Sequence, residues 1–251
     1  MSSSKKWIPD QPTMYNNTLR RQLSRSLFLV LCVAPFATAG TIILRSGNGS
    51  GATDTEVHML VGPADSPFGA AFTSGDFAAA QGGDNAFRIT NHSLWISALP
   101  GDSLASWIGT SPSAASSGNS ALYAISFVID NAFSSATFQL NYAVDNLLGN
   151  HPGTGPNAGV FFNGIAISGD SYGGNFDAEY TLSRSDIGSL LHVGSNTLYL
   201  NVSDYGGPAG FLFRATITTD DVVAPEPGTF GLGILSMVAT YALAGKFARK
   251  L

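Results

Sequence analysis

The most constraining feature of this chain is a strict two-residue alternation. In Tyr123-Ala124-Ile125-Ser126-Phe127-Val128-Ile129, and again in Ala136-Thr137-Phe138-Gln139-Leu140-Asn141-Tyr142-Ala143-Val144, every second residue is bulky and apolar. A strand turns successive side chains to opposite faces, so each segment buries one face and wets the other. Between Gly40 and Thr219 further short apolar runs are separated by Gly, Asn, Asp, Ser and Pro, the punctuation of an antiparallel β protein.

The strands expected on this basis are 41–45, 56–61, 70–77, 86–90, 122–129, 136–144, 159–162, 180–182, 197–202 and 210–218. That number implies two packed sheets, and hence an all-β antiparallel sandwich over residues 40–219. Ser185 to Leu191 is the one short helix expected in this body.

The ends are of a different kind. Arg20, Arg21 and Arg25 precede an apolar core from Leu27 to Phe36, followed by Ala37-Thr38-Ala39. This is the three-part layout of a secretory signal peptide over residues 1–39, with signal peptidase cutting after Ala39. The run is short for a membrane span, and Pro35 interrupts it. The polar stretch before Met14 lengthens the leader unusually, which makes Met14 a candidate start. Leu31 is too large for a lipobox, so Cys32 is not expected to be acylated.

At the other end a linker, 220–227, carries Pro225, Glu226 and Pro227. Residues 228–251 then form an apolar stretch and a basic tail of Lys246, Arg249 and Lys250. A helix rising about 1.5 Å per residue carries that stretch across most of a hydrocarbon core. The cationic tail belongs on the cytoplasmic side, which puts the body outside, as the leader also does.

Charge is segregated to match. The stretch from Gly40 to Ala224 has no lysine and no cysteine, and its four arginines face fifteen acids, a net charge of −11. So anionic a body repels nucleic acid and anionic lipid surfaces. Without thiols it folds without disulfides.

The Pro-Glu-Pro tripeptide, apolar helix and basic tail together resemble the PEP-CTERM sorting signal of Gram-negative bacteria, over about the last 27 residues. The resemblance implies export across the inner membrane, a membrane-anchored precursor recognised at Pro225, Glu226 and Pro227 by exosortase, and release to a cell surface or matrix rich in exopolysaccharide.

The body carries a second resemblance. Leu122 to Ile129, Ala143-Val144-Asp145-Asn146, Phe161-Phe162-Asn163-Gly164, Val193-Gly194-Ser195-Asn196-Thr197-Leu198 and Gly207-Pro208-Ala209-Gly210-Phe211 follow the order of galactose-binding-like jelly-roll domains. Such domains often bind carbohydrate through loops at one end and often hold a structural calcium ion.

For carbohydrate, aromatic platforms beside amides or acids are the relevant groups: Trp95, Trp107, Tyr172 with Asn175, and Tyr205 with Asp204. The competing reading of the tryptophans is core packing. For calcium, Asp145, Asn146, Asp170, Asp177 and Asp204 offer hard oxygen donors, with solvated turns as the competing reading.

Catalytic signals are weak. His58, His92, His151 and His192 have neither metal spacing nor a nucleophile elbow beside them. Fifteen acids supply many pairs for glycoside hydrolysis without singling one out. The sequence is therefore read as a non-catalytic surface or matrix protein that contacts exopolysaccharide. The alternatives are a carbohydrate-active accessory enzyme and an adhesive module without a small ligand.

Overall fold

The computed structural model describes residues 38–114, 118–151, 158–167 and 173–221. The chain divides into two units, Met1–Phe36 and Ala37–Leu251, and all described residues belong to the second. The leader before Thr38, the Pro-Glu-Pro linker and the apolar C-terminal segment lie outside the described residues. Among the described residues no helix is long and apolar enough to cross a membrane.

The strands are β1 (Thr38–Arg45), β2 (Thr53–Ala64), β3 (Asn85–Arg88), β4 (Ile108–Gly109), β5 (Asn119–Ile129), β6 (Phe133–Asp145), β7 (Leu147–Leu148), β8 (Val160–Phe162), β9 (Ile165–Ala166), β10 (Tyr180–Arg184), β11 (Gly194–Ser203) and β12 (Gly210–Asp221). Every pairing between them is antiparallel.

They form one hydrogen-bonded sheet in the order β10-β6-β12-β4-β3-β2-β5-β11-β8-β9, with β1 also on β12 and β7 on β11. The expected two sheets are thus two halves of a single curled sheet, because the two-residue β4 joins β12 to β3 and leaves no break. The halves still face each other as in a sandwich. The Phe138 ring of β6 meets Phe162 of β8 edge-on at 5.1 Å, and Tyr123 of β5 stacks on Phe211 of β12 at 6.0 Å.

Alternation decides what fills the interior. Tyr123, Ile125, Phe127 and Ile129 from one half join Phe138, Leu140, Tyr142 and Val144 from the other in one core cluster. The residues between them point outward, and part of each outer face is covered. On one half Leu122, Ala124 and Tyr199 pack under Phe77 and Ala80 of a helix, α1 (Ser74–Gln81). On the other, Ala143 and Leu212 lie under the β3–β4 connection, which contributes Ile89, Trp95, Leu99, Ala105 and Trp107.

Helix α1 replaces the strand expected at 70–77. Thr73 is its N-cap: its hydroxyl accepts from Asp76 N at 3.3 Å, while the Asp76 carboxylate accepts from Thr73 N at 2.8 Å and from Thr73 Oγ1 at 2.7 Å. That capping box satisfies the first free donors of a helix, and the alanines after Phe77 propagate it. The helix expected at 185–191 is only a 3₁₀ turn, Gly188–Leu190.

At the lower edge the body's two ends lie side by side, Thr38 being the partner of Asp221. The loops 146–151 and 204–209 are at the far end of β12, beside Gly210.

Candidate functional site

The far-end loops gather five of the residues singled out in the sequence. Asp145 ends β6, and Asn146 follows it directly. The Trp95 indole N–H donates to Asp145 Oδ2 at 2.9 Å, and the Asn146 amide donates to Asp145 Oδ1 at 2.6 Å. Asn146 Oδ1 in turn accepts from Tyr205 N at 2.6 Å. The Tyr205 hydroxyl accepts from His151 N at 3.0 Å, with the two rings 4.7 Å apart. Asp204 is held alongside, its N–H donating to Ser120 Oγ at 2.8 Å, while Ser120 donates to Ser66 O at 2.6 Å.

Two acids here are buried: Asp145 is 5% exposed and Asp204 fully enclosed, with one carboxylate oxygen, Oδ2, lacking a hydrogen bond. Burial pushes the Asp145 carboxyl above the ordinary carboxylate range. The Asp204 charge adds to that shift, and the donors from Trp95 and Asn146 and the nearby His92 oppose it. Burial likewise raises Asp204, helped by the Asp65 charge and opposed chiefly by the Gly206 N–H.

Trp95 and Trp107 are core residues rather than exposed platforms. Their rings lie 4.3 Å apart, 5% and 2% exposed, and Trp107 Nε1 donates to Ile96 O at 2.8 Å. They are wedged so closely over β12 that a Cβ at Gly210 would sit 2.6 Å from the Trp95 ring. Asn175 belongs to a segment laced onto β6, its O accepting from Val144 N at 3.1 Å and its Oδ1 from Phe176 N at 2.8 Å. Asp177 is exposed on the following bend, and Asp170 and Tyr172 lie outside the described residues.

Of the described calcium candidates, both oxygens of Asp145 and the amide oxygen of Asn146 accept protein donors, whereas Asp204 Oδ2 has no hydrogen bond and Asp177 is exposed. Among the described residues no three His, Cys, Asp or Glu side chains are placed to hold a metal. The far-end cluster is a tie between loops, in which Trp95, Asp145, Asn146 and Tyr205 form a single hydrogen-bonded chain.

Two open depressions lie elsewhere, on residues that sequence reasoning missed. One, of about 560 Å³, runs beside α1 between Phe72, Phe77, Gln81, Asn163, Thr197 and Tyr199. Its floor is aromatic, with Phe77 and Tyr199 centroids 4.7 Å apart. The Asn163-Gly164 turn of the β8–β9 hairpin forms a wall, and both its residues have positive φ, at 53° and 83°. That is the Asn-Gly signature of a two-residue hairpin loop. The other, of about 340 Å³, is on the outer face of β6, β10 and β12, at Thr137, Gln139, Ser183, Arg184, Thr216 and Thr218.

No family model matches this chain, and no curated protein matches it. Among solved structures, isomalto-dextranase from Arthrobacter globiformis T6, complexed with panose, is similar over 72% of this chain with 10% identity and a TM-score of 0.27. The chain covers 32% of that protein's length. A likeness this slight carries no argument about activity.

Proposed function

We propose that this chain is an exported surface or matrix protein, sorted by exosortase through its C-terminal signal, whose sandwich contacts exopolysaccharide without catalysis. The observation that carries the reading is the antiparallel pairing of β1 with β12, which sets the residues next to the two signals side by side: Thr38, within the Ala37-Thr38-Ala39 cleavage site, is the partner of Asp221, just before Pro225 in the sequence. Both signals thus adjoin one edge of the described body, as suits a precursor trimmed at both ends.

The proposed processing is mechanically compatible with the fold. Signal peptidase cutting after Ala39 removes two residues of β1 and leaves the pairs from Gly40↔Thr219 to Arg45↔Arg214 in place. Exosortase then acts at Pro225-Glu226-Pro227, a sequence whose two prolines favour extended backbone over helix. Lys246, Arg249 and Lys250 stay on the cytoplasmic side of the inner membrane until that step.

The test is the intact mass of the surface form from cells with and without exosortase. Loss of the residues beyond the Pro-Glu-Pro motif only when the enzyme is present is the expected result. A tail still attached in both would end the sorting proposal.

A further inference from the structure

Among the described residues, one large face is neither covered nor charged in its middle. Leu44, Phe138, Leu140, Ala215 and Ile217 point into the core, so their neighbours on β1, β6 and β12 point out. The register then aligns rows across the strands: Thr41, Thr218 and Thr137 in one; Ile43, Thr216, Gln139 and Ser183 in the next. Strand geometry spaces these groups about 4.8 Å across the sheet and about 7 Å along it.

Charges on this face lie at the margins and are engaged there. Arg45 and Arg214, directly opposed in the following row, share Asp102, at 2.7 and 3.7 Å. Asp220, beyond the first row, accepts from Ser134 and Ser135, and Glu179 accepts from Asn141 at 2.8 Å. Arg184 stands at the corner of the depression, donating to Ser183 O at 2.8 Å.

Solvent-facing strands ordinarily carry Lys and Glu, which favour solubility and block edge pairing. Here the central positions are threonine, serine and glutamine, with one isoleucine, Ile43. We propose that this face binds a neutral polysaccharide chain laid across β1, β12, β6 and β10, which locates the exopolysaccharide contact of the function proposed above and rests on it. Each hydroxyl and amide both donates and accepts, as each sugar hydroxyl does. Among the described residues the face presents no aromatic ring in its rows, so a sugar chain here is held by hydroxyl and amide contacts rather than by ring stacking, and its cations at the margins are engaged rather than offered as the arginine anchors of a protein partner. The body's net charge of −11 opposes an anionic polymer. Individually weak contacts repeated along a polymer add through effective concentration.

The experiment is affinity electrophoresis of the full chain in detergent through gels holding amylose, mixed-linkage β-glucan or alginate. Two face variants, Thr216→Glu with Gln139→Glu and Thr137→Ala with Thr218→Ala, are compared with a control in the depression beside α1, which Gln81 and Ser195 both line, Gln81→Glu with Ser195→Glu. The second face variant deletes hydroxyls without adding charge, which keeps the test open if the first unfolds. Retardation by a neutral glucan, weakened at least about tenfold in the folded face variants and unchanged in the control, is the expected result. Retardation lost in the control and kept in the face variants overturns the location but leaves glycan binding standing. Retardation by alginate alone overturns the neutral ligand. No retardation by any of the three overturns both the face and the glycan contact, while the sorting proposal is judged separately by mass.

Discussion

Single carboxylates in this body have opposite signs of pH dependence. Burial alone would raise Asp102, but the Arg45 hydrogen bond, the Leu104 N–H and the charges of Arg45 and Arg214 outweigh it and hold the group below its ordinary 3.8. Its contribution to stability is present above 3.8 and is lost as pH falls through the depressed folded value. Asp145 and Asp204 are raised, so their contribution is full below 3.8 and is lost as pH rises through their folded values. The melting temperature should therefore climb as pH is lowered from neutrality towards 3.8 and drop below it, which a calorimetric series checks. Asp204→Asn should flatten the climbing limb and lower the Asp145 midpoint, followed by carboxyl carbon resonances. Trp95→Phe should cost about 1–3 kcal/mol in urea denaturation, because it strands a buried carboxylate oxygen as well as shrinking the ring.

At the level of elements, the alternating segments 122–129 and 136–144 were legible because every second side chain enters the core, although only Ser126, Val128, Thr137 and Gln139 wet the outer face and the rest of it is wholly or partly covered. Ala70–Phe77 was not, since a short run with two phenylalanines, Phe72 and Phe77, and two alanines fits either period. What settles it is local: the Thr73–Asp76 box and a sheet face at Leu122, Ala124 and Tyr199 that needs a cover. Thr73→Ala should cost about 1 kcal/mol and speed amide exchange in α1 before the strands respond. Gly83→Ala should be far worse than Gly69→Ala, since a Cβ at Gly83 collides with Met59 O and one at Gly69 meets nothing within 4 Å. Melting curves of the pair compare them directly. The role of Trp95 was likewise hidden, because an indole on an exposed platform and one donating to Asp145 leave the same letter in the sequence. The two depressions were invisible for a different reason: each draws residues from strands far apart in the chain, and only the register brings Thr137, Ser183 and Thr216 onto one surface.

For the whole molecule, β1 as described runs from Thr38 and β12 to Asp221, each reaching past the Gly40 and Thr219 at which composition divides the body from its flanks. The expected pair of sheets became one sheet because β4, which joins β3 near the expected strand 86–90 to β12, has only two residues and leaves no pattern of hydropathy. A form beginning at Gly40 should melt within a few degrees of one beginning at Thr38, since only two of the eight β1 pairs go, and a thermal scan of the two decides it.

The Thr38↔Asp221 pair has a geometric corollary. A precursor tethered through both termini would be moored by one pole only, with the twelve residues of β12 rising from it as a mast about 40 Å tall. The Trp95–Asp145 tie would then crown the top, and the threonine rows would become a flank turned sideways to whatever polymer grows past the cell.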